Sequence, residues 1–222
     1  MITVTAFRWV PPFAAGLVRD LRVRWALEEA GLAYRERLIG PGDQDSPAYR
    51  ALQPFGQVPA YEEEAENGER LALFESGAIV LHIGQRSEAL LPADAAGRAR
   101  VTAWMFAALN SVEPHVQQLA AIDLFYAGEE WARLRRPGAV EFAEKRLDAL
   151  AAALGDKDYL TEGRFTAADL LMTSVLRILR HTGLVAARPT LLALQQRCEA
   201  RPAFRKALAD QLAPFAANAP PG

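Results

Sequence analysis

Two hydrophobic periodicities follow each other at the start of the chain. Residues 2–7 alternate β-branched and smaller side chains, which predicts a short strand. From about residue 17 to residue 30, apolar side chains recur at +3 and +4 spacing, which predicts a helix, and Gly31 is typical of the position just after a helix end. A second strand is predicted over residues 34–39. These elements together predict a right-handed βαβ unit.

A second group of strands follows an irregular stretch. Residues 40–54 are rich in Pro, Gly, Asp and Ser, which predicts a loop with one helical turn around Tyr49. Further along, Asn67-Gly68 is typical of a type I′ hairpin turn, because both residue types accept positive φ angles. The elements predicted around that turn are strands over residues 58–63 and 70–74 and a helix over residues 76–85.

Beyond Leu90-Leu91-Pro92, which is typical of a linker, the pattern becomes helical. The chain from Ala93 onward is rich in Ala, Leu, Arg and Glu and contains no convincing strand. A break is predicted at Pro137-Gly138, and Pro114 is expected to kink or end the first helix. The fold class is therefore α/β plus all-α. The expected domains are residues 1–88 and 93–222, the second with helices at about 93–121, 138–154, 167–182, 189–200 and 202–212.

One helix of the second domain is expected to form its buried centre. Residues 170–179, LLMTSVLRIL, are apolar almost all round. Thr166 followed by Asp169 predicts a capping box at the helix start, and Phe165 is placed to pack on Leu170 as a hydrophobic staple.

The composition narrows the classes of partner. A chain of 222 residues is long enough for two domains with cores, and its net charge of −2 gives no broad attraction to nucleic acid or anionic membranes. The single cysteine, Cys198, excludes a disulfide framework within the chain and suits a reducing compartment. No signal-peptide pattern and no apolar run of about 18 residues occurs in the sequence. We expect a soluble, cytoplasmic protein that binds neither nucleic acid nor membranes.

The first candidate site is Val58-Pro59, preceded by Gly56 and followed by a predicted strand. A cis peptide bond here would turn the N–H and C=O of Val58 away from the sheet, where an extended peptide can pair with them like an added strand. The alternative is an ordinary trans proline at the start of an edge strand, which is the commoner state of an X-Pro bond.

The second candidate is Glu75-Ser76, at a change from strand to helix. Ser76 stands where a helix N-cap belongs, and a helix N-terminus offers free N–H groups and partial positive charge to an anion. The Glu75 carboxylate can pair with an ammonium group. The two residues therefore suit a zwitterionic ligand, although a plain serine cap beside a surface acid is the alternative.

In their order along the chain, these features resemble the cytosolic glutathione transferases. The motifs RVRWALEEAGLAY, FGQVPA, ESGAI and FTAADLLM fit the pattern of that family, and the similarity runs from Ile2 to about Phe215. The resemblance implies a thioredoxin-like N-terminal domain, a C-terminal helical bundle, a homodimer, and a glutathione site between the domains.

The resemblance also assigns roles to individual residues. It implies a cis Pro59, with the Val58 backbone pairing with the cysteinyl part of glutathione. Glu75 and Ser76 would hold the γ-glutamyl end. Gln57 matches a polar position near the ligand, and Gln44 is a candidate near the glycyl end. Glutathione would act as co-substrate, and no metal is expected.

The segment that usually activates the glutathione thiol departs from the family pattern. Family members commonly use a Tyr or Ser hydroxyl, or a Cys, between the first strand and the first helix. Residues 7–18, FRWVPPFAAGLV, contain no Ser, Thr, Tyr or Cys, and the Ser-Ser-Cys signature of zeta-like isomerases is missing. Arg8, Trp9 and Arg19 remain as candidate catalytic residues, together with backbone amides near Gly16, because cations and amides stabilise a thiolate. The alternatives are a solvated loop charge for Arg8 and a packing role for Trp9.

The remaining candidates have simpler interpretations. The histidines have no metal-ligand spacing, Cys198 shares an apolar helical face, and the basic run at residues 133–136 follows two acids as in a solvated turn. Aromatic and sulfur side chains form either a pocket for a hydrophobic electrophile or interdomain core. The histidines without metal-ligand spacing are His82, His115 and His181. The candidate pocket residues are Phe13, Trp104 and Met105.

Three functions follow from the sequence. The first is a glutathione transferase that promotes thiolate attack on a small hydrophobic electrophile. The second is a glutathione-dependent reductase of disulfides or peroxides, which needs the same site. The third is a binding or interaction protein without catalysis, which the missing hydroxyl favours and the intact Val-Pro and Glu-Ser pieces disfavour.

Overall fold

The computed structural model describes residues 1–65 and 68–220. Within them the chain forms two units, one of Met1–Leu90 together with the segment from Pro202 onward, and one of Leu91–Arg201. The elements in chain order are β1 Ile2–Phe7, α1 Asp20–Ala30, β2 Tyr34–Ile39, α2 Pro47–Arg50, β3 Tyr61–Glu64, β4 Arg70–Leu73, α3 Ser76–Gly84, α4 Ala95–Phe106, α5 Glu113–Leu124, α6 Glu130–Leu154, α7 Ala167–Leu176, α8 Pro189–Glu199 and α9 Pro202–Ala217.

The first unit is built on a four-stranded mixed sheet with strand order β2-β1-β3-β4. β1 runs parallel to β2 and antiparallel to β3, and β3 pairs antiparallel with β4. Residues 2–6 of β1 are all buried, as expected for a central strand covered on both faces. The predicted βαβ unit followed by a ββα unit is confirmed, and with it the thioredoxin-like fold.

The third strand is shorter than predicted at its start. It begins at Tyr61 rather than Val58, and the last backbone bond on that side runs from Thr5 N to Ala60 O at 2.9 Å. Pro59 has no N–H to donate to a ladder, which is a physical reason for the strand to start after it. The first helix also starts later than predicted, at Asp20 rather than near Leu17. The predicted hairpin turn includes Asn67, which lies outside the described residues.

Helix α9 packs on α1 of the first unit, whereas the sequence assigned it to the helical domain. The rings of Trp25 and Phe204 meet edge to face with centroids 4.8 Å apart. Gln211 Nε2 donates to the buried Asp20 carboxylate at 2.7 Å. Burial of this aromatic and polar surface fixes α9 on the first unit.

The second unit is helical, and of the two interruptions predicted at prolines only the one at Pro114 is found. A π-helical segment at Ala107–Val112 separates α4 from α5, so the helix expected at 93–121 is divided just before Pro114. The break predicted at Pro137-Gly138 is wrong, because α6 runs through both residues. Pro137 is exposed, so the carbonyl that lacks a partner there can face water, and the buried alanines and leucines further along α6 hold the helix together.

Helix α7 forms the buried centre of the second unit, as predicted. Every residue from Ala167 to Leu176 except Ser174 is buried. The predicted capping box is confirmed, with Thr166 N donating to the Asp169 carboxylate at 2.9 Å. Leu160 N donates to the same carboxylate at 2.8 Å. Burial nevertheless raises the pKa of Asp169 to about 6, because desolvation disfavours its charged form.

Candidate functional site

The strand register of the first unit brings the ends of several strands to one edge of the sheet. Phe7 pairs with Ile39 where the parallel strands β1 and β2 end. Val4 pairs with Tyr61 in the antiparallel pair, so continuing this register places Val58 at the same end as Phe7. The residues just after β1 and β2 and just before β3 therefore share one edge.

The β3–β4 pair adds the strand-to-helix junction to that edge. Tyr61 pairs with Leu73, and continuing this register places Ser76 at the level of Val58. The two candidate sites from the sequence, Val58-Pro59 and Glu75-Ser76, therefore lie at the same end of one hairpin.

The Val58-Pro59 bond is cis, as the family resemblance implied, and the ordinary trans alternative is wrong. Both residues are buried, but Val58 precedes the start of β3 and lies outside the ladder. Within the part of the chain that the structure describes, no backbone group bonds the N–H or C=O of Val58. This peptide is therefore available to pair with an extended ligand.

Glu75 has an unusual backbone conformation at the N-terminus of α3. Its φ of 68° and ψ of 110° place a non-glycine residue at positive φ, and its exposed side chain makes no capping bond to the helix. Such conformations are strained by about 1–3 kcal/mol and concentrate at functional sites. The geometry holds a carboxylate beside the helix N-terminus.

Ser76 is the first residue of α3 rather than its cap, which corrects the sequence-based interpretation. Its buried Oγ accepts a hydrogen bond from Nη1 of Arg22 at 3.2 Å. The sequence analysis missed Arg22, whose side chain is buried on α1. A signal was present, because Arg22 lies four residues after Val18 and three before Trp25, within the apolar stripe of the helix.

Arg8 lies at the same edge of the sheet, directly after β1. Its N–H donates to Ile39 O at 2.9 Å, and its half-exposed guanidinium lies 4.0 Å from the Asp43 carboxylate. A Cβ on Gly40 would lie 3.4 Å from the Arg8 Cζ, so the guanidinium packs over the glycine backbone. The other two catalytic candidates are Trp9, which is half-buried, and Arg19, which precedes the first residue of α1.

The two glutamines predicted near the ligand occupy different surroundings. Gln57 has an exposed side chain, and its carbonyl accepts a hydrogen bond from the hydroxyl of Tyr49 at 2.6 Å. Gln44 lies in a short 3₁₀ turn after β2, and its Oε1 accepts from Gly42 N at 3.0 Å. Gln57 is thus next to the Val58 peptide. The role of Gln44 near the glycyl end of glutathione stays a prediction from the sequence.

The candidate hydrophobic pocket residues belong to both units. Phe13 lies in the loop after β1 of the first unit and is 38% exposed. Trp104 and Met105 are neighbours on α4 of the second unit, where Trp104 is half-buried and Met105 is buried. Their assignment to a substrate pocket stays a prediction.

Other candidates remain outside the site. Cys198 is buried on α8, and burial raises the pKa of its thiol to about 12, as for a core residue. Among the described residues, no group of three or more His, Cys, Asp and Glu side chains is arranged to hold a metal ion. None of the helices in residues 1–65 and 68–220 has the length and hydropathy of a membrane span.

The fold and this edge of the sheet define a thioredoxin-like protein with a candidate peptide-binding site, joined to an all-helical unit. Residues 21–90 match the family model of the glutathione S-transferase N-terminal domain, and residues 138–202 match that of the C-terminal domain. The chain belongs to the glutathione S-transferase family.

Individual relatives agree with this assignment. The chain is 33% identical over 202 residues to glutathione S-transferase 3 of Zea mays, covering 85% of this chain and 88% of the relative. It is 34% identical over 96 residues to a disulfide-bond oxidoreductase of Escherichia coli (strain K12), covering 41% and 45% of the two chains. A crystal structure of a glutathione transferase from Burkholderia graminis, with two glutathione molecules bound per subunit, superposes with a TM-score of 0.82 at 26% identity, covering 93% of this chain and 87% of that one.

Proposed function

We propose that this protein binds glutathione at the sheet edge and promotes attack of its thiolate on a small hydrophobic electrophile. One observation carries the proposal. The strand register gathers an unpaired backbone segment at Val58, a carboxylate at Glu75 and a helix N-terminus at Ser76 at one end of the sheet. A peptide with a zwitterionic end presents complementary groups to all three.

The γ-glutamyl end of glutathione carries an α-ammonium and an α-carboxylate. The exposed Glu75 carboxylate suits the ammonium, and the first N–H groups of α3 suit the carboxylate, because a helix N-terminus attracts anions. The guanidinium of Arg22, which already donates to Ser76, adds positive charge behind that N-terminus.

The peptide part of glutathione suits the loop before β3. The N–H and C=O of Val58 can pair with the cysteinyl residue as an added strand would. Gln57 and Gln44 are the proposed contacts for the remaining polar groups, and Phe13, Trp104 and Met105 are the proposed contacts of the electrophile.

Thiol activation is assigned to cations and amides rather than to a hydroxyl. A nearby positive charge lowers a thiol pKa, and the thiolate is the nucleophile. Arg8 is the first candidate because it directly follows β1 at the site edge. Trp9, the next residue, and Arg19, directly before α1, are the other two candidates. The protein would act in the cytoplasm as a homodimer.

A second candidate function is glutathione-dependent reduction of disulfides. The similarity to a disulfide-bond oxidoreductase favours it. The same glutathione site would serve, with a disulfide in place of the electrophile. A binding protein without turnover is the third alternative.

Calorimetric titration with glutathione tests glutathione binding, the step that all three candidate functions share. We expect saturable binding by the wild type and a Kd raised about tenfold or more in Glu75→Gln, since a charge-assisted hydrogen bond is lost. Glu64→Gln is the matched control, because Glu64 pairs with Arg70 at the opposite end of the hairpin and should bind normally. Absence of wild-type binding would refute the proposal.

Turnover assays then separate the alternatives. The wild type is incubated with glutathione and either an aryl halide or a small disulfide. Conjugation of the halide supports the first function, and reduction of the disulfide alone supports the second. Binding without either reaction supports the third.

A further inference from the structure

The hydroxyl of Tyr49 is hydrogen-bonded to the peptide unit that carries the Val58 N–H. It donates to the carbonyl of Gln57 at 2.6 Å, a short hydrogen bond between α2 and the loop before β3. The carbonyl of Gln57 and the N–H of Val58 belong to one planar peptide unit. The direction of the carbonyl therefore fixes the direction of the N–H on its other side.

The ring that carries this hydroxyl is itself held in place. Tyr49 is 5% exposed and packs in a hydrophobic cluster with Ile39, Val58 and Ala60. Such packing restricts the ring to one orientation, so the hydroxyl stays at one point. Burial raises the pKa of Tyr49 to about 12, so the hydroxyl stays protonated and able to donate near neutral pH.

The bond also makes the peptide a better donor. Hydrogen bonds that share a peptide unit polarise one another. The hydrogen bond that the Gln57 carbonyl accepts therefore makes the Val58 N–H a stronger donor. One hydroxyl thus bears on both the direction and the donor strength of that N–H.

We propose that Tyr49 is a positioning residue for bound glutathione and that it acts through the Gln57–Val58 peptide unit. This inference rests on the proposed glutathione site and adds to it a residue that touches no ligand. Another side chain holds this loop at a different peptide. Arg50 Nη1 donates to Pro54 O at 2.9 Å, three residues earlier.

The test compares Tyr49→Phe with wild type. The variant keeps the ring in the cluster and removes only the hydroxyl. We expect the Kd and KM for glutathione to rise by roughly three- to tenfold, the effect of one hydrogen bond, while kcat at saturating glutathione stays within about twofold. In wild type, the ¹⁵N-labelled amide resonance of Val58 should shift strongly on glutathione addition.

Arg50→Met is the control for a general loosening of the loop, because it removes the hydrogen bond to Pro54 O and the ion pair with Asp45, neither of which involves the Gln57–Val58 peptide. It should leave the Kd for glutathione within about twofold of wild type. An equal loss in both variants would overturn the assignment to Tyr49, as would an unchanged Kd in Tyr49→Phe or a Val58 resonance that glutathione does not move. A wild type that binds no glutathione would instead refute the proposed function itself, and this inference with it.

Discussion

The buried guanidinium of Arg22 donates a hydrogen bond to the hydroxyl of Ser76 across 3.2 Å, joining α1 to the first residue of α3. The bond brings a positive charge to a helix N-terminus that already attracts anions. The proposed γ-glutamyl site thus has support from an element far away in sequence.

A double-mutant cycle tests this pair. We expect Ser76→Ala to raise the Kd for glutathione about three- to tenfold and Arg22→Lys to raise it about tenfold or more, because lysine lacks the planar fork of arginine. The affinity of the double variant should fall by less than the sum of the two single losses, with a coupling energy of about 0.5–1 kcal/mol. Calorimetry on the four proteins measures it, and additive losses would show that the two residues act independently.

Because Glu75 has a positive φ, we expect Glu75→Gly to be more stable than Glu75→Ala, the reverse of the usual order. Glu75→Gly and Glu75→Ala both remove the carboxylate, but only glycine accepts a φ of 68° without a clash of Cβ. We expect the glycine variant to be the more stable by about 1 kcal/mol, although alanine is favoured at ordinary positions. Urea unfolding compares the two proteins. Both should lose affinity for glutathione equally, and an alanine variant as stable as the glycine variant would contradict the strain.

We expect substitutions at Arg8 and Asp43 to shift the pKa of the thiol of bound glutathione in opposite directions. Arg8→Met removes a cation and should raise that pKa, whereas Asp43→Asn removes the carboxylate 4.0 Å from the guanidinium and should lower it. Both side chains are half-exposed, so solvent screening limits each shift to about half a pKa unit. Ultraviolet difference absorbance of the thiolate against pH measures the effect.

Asparagine at position 43 keeps an oxygen for the bond that Asp43 accepts from Gly40 N at 2.7 Å. The loop should therefore stay in place in that variant. If neither substitution moves the thiol pKa, the activation passes to Trp9, Arg19 or the backbone amides.

The surroundings of Glu63 lead us to expect that this residue contributes to the loss of folding stability in acid. Arg86 donates to its carboxylate from Nη1 at 2.6 Å and Tyr61 from its hydroxyl at 2.9 Å, and His82 Nε2 lies 3.3 Å away. The hydrogen bonds from Arg86 are the main cause that lowers the pKa of Glu63 to about 2 from its ordinary value of 4.5. The native state thus holds the ionised form, and the stability from this group is fully present above pH 4.5 and lost as the pH falls through about 2.

Glu63→Gln should therefore lose stability at neutral pH and show a flatter decline between pH 4.5 and about 2. Urea unfolding at several pH values measures both. Glu64→Gln, next in the chain and more exposed, is the control and should keep the wild-type slope. An unchanged slope in Glu63→Gln would contradict the assignment.

The sequence by itself determined the kinds of element and the family. Periodicities of two and of about 3.6 residues report which side of a segment is buried, so β1, β2 and the buried helix α7 could be predicted from local pattern. The capping box at Thr166 was equally readable, because its partners lie within one helical turn. Val58-Pro59, Glu75 and Ser76 were found because their motifs stand in the family order.

Only the tertiary structure decided how distant segments meet. Arg22 reads as a helix charge until α1 packs on α3 and turns it toward Ser76, and Tyr49 reads as a loop aromatic until its hydroxyl reaches Gln57. Helix α6 continues through Pro137 because its buried face outweighs one lost hydrogen bond. In each case the deciding energy comes from contacts between residues far apart in sequence, which local propensity does not contain.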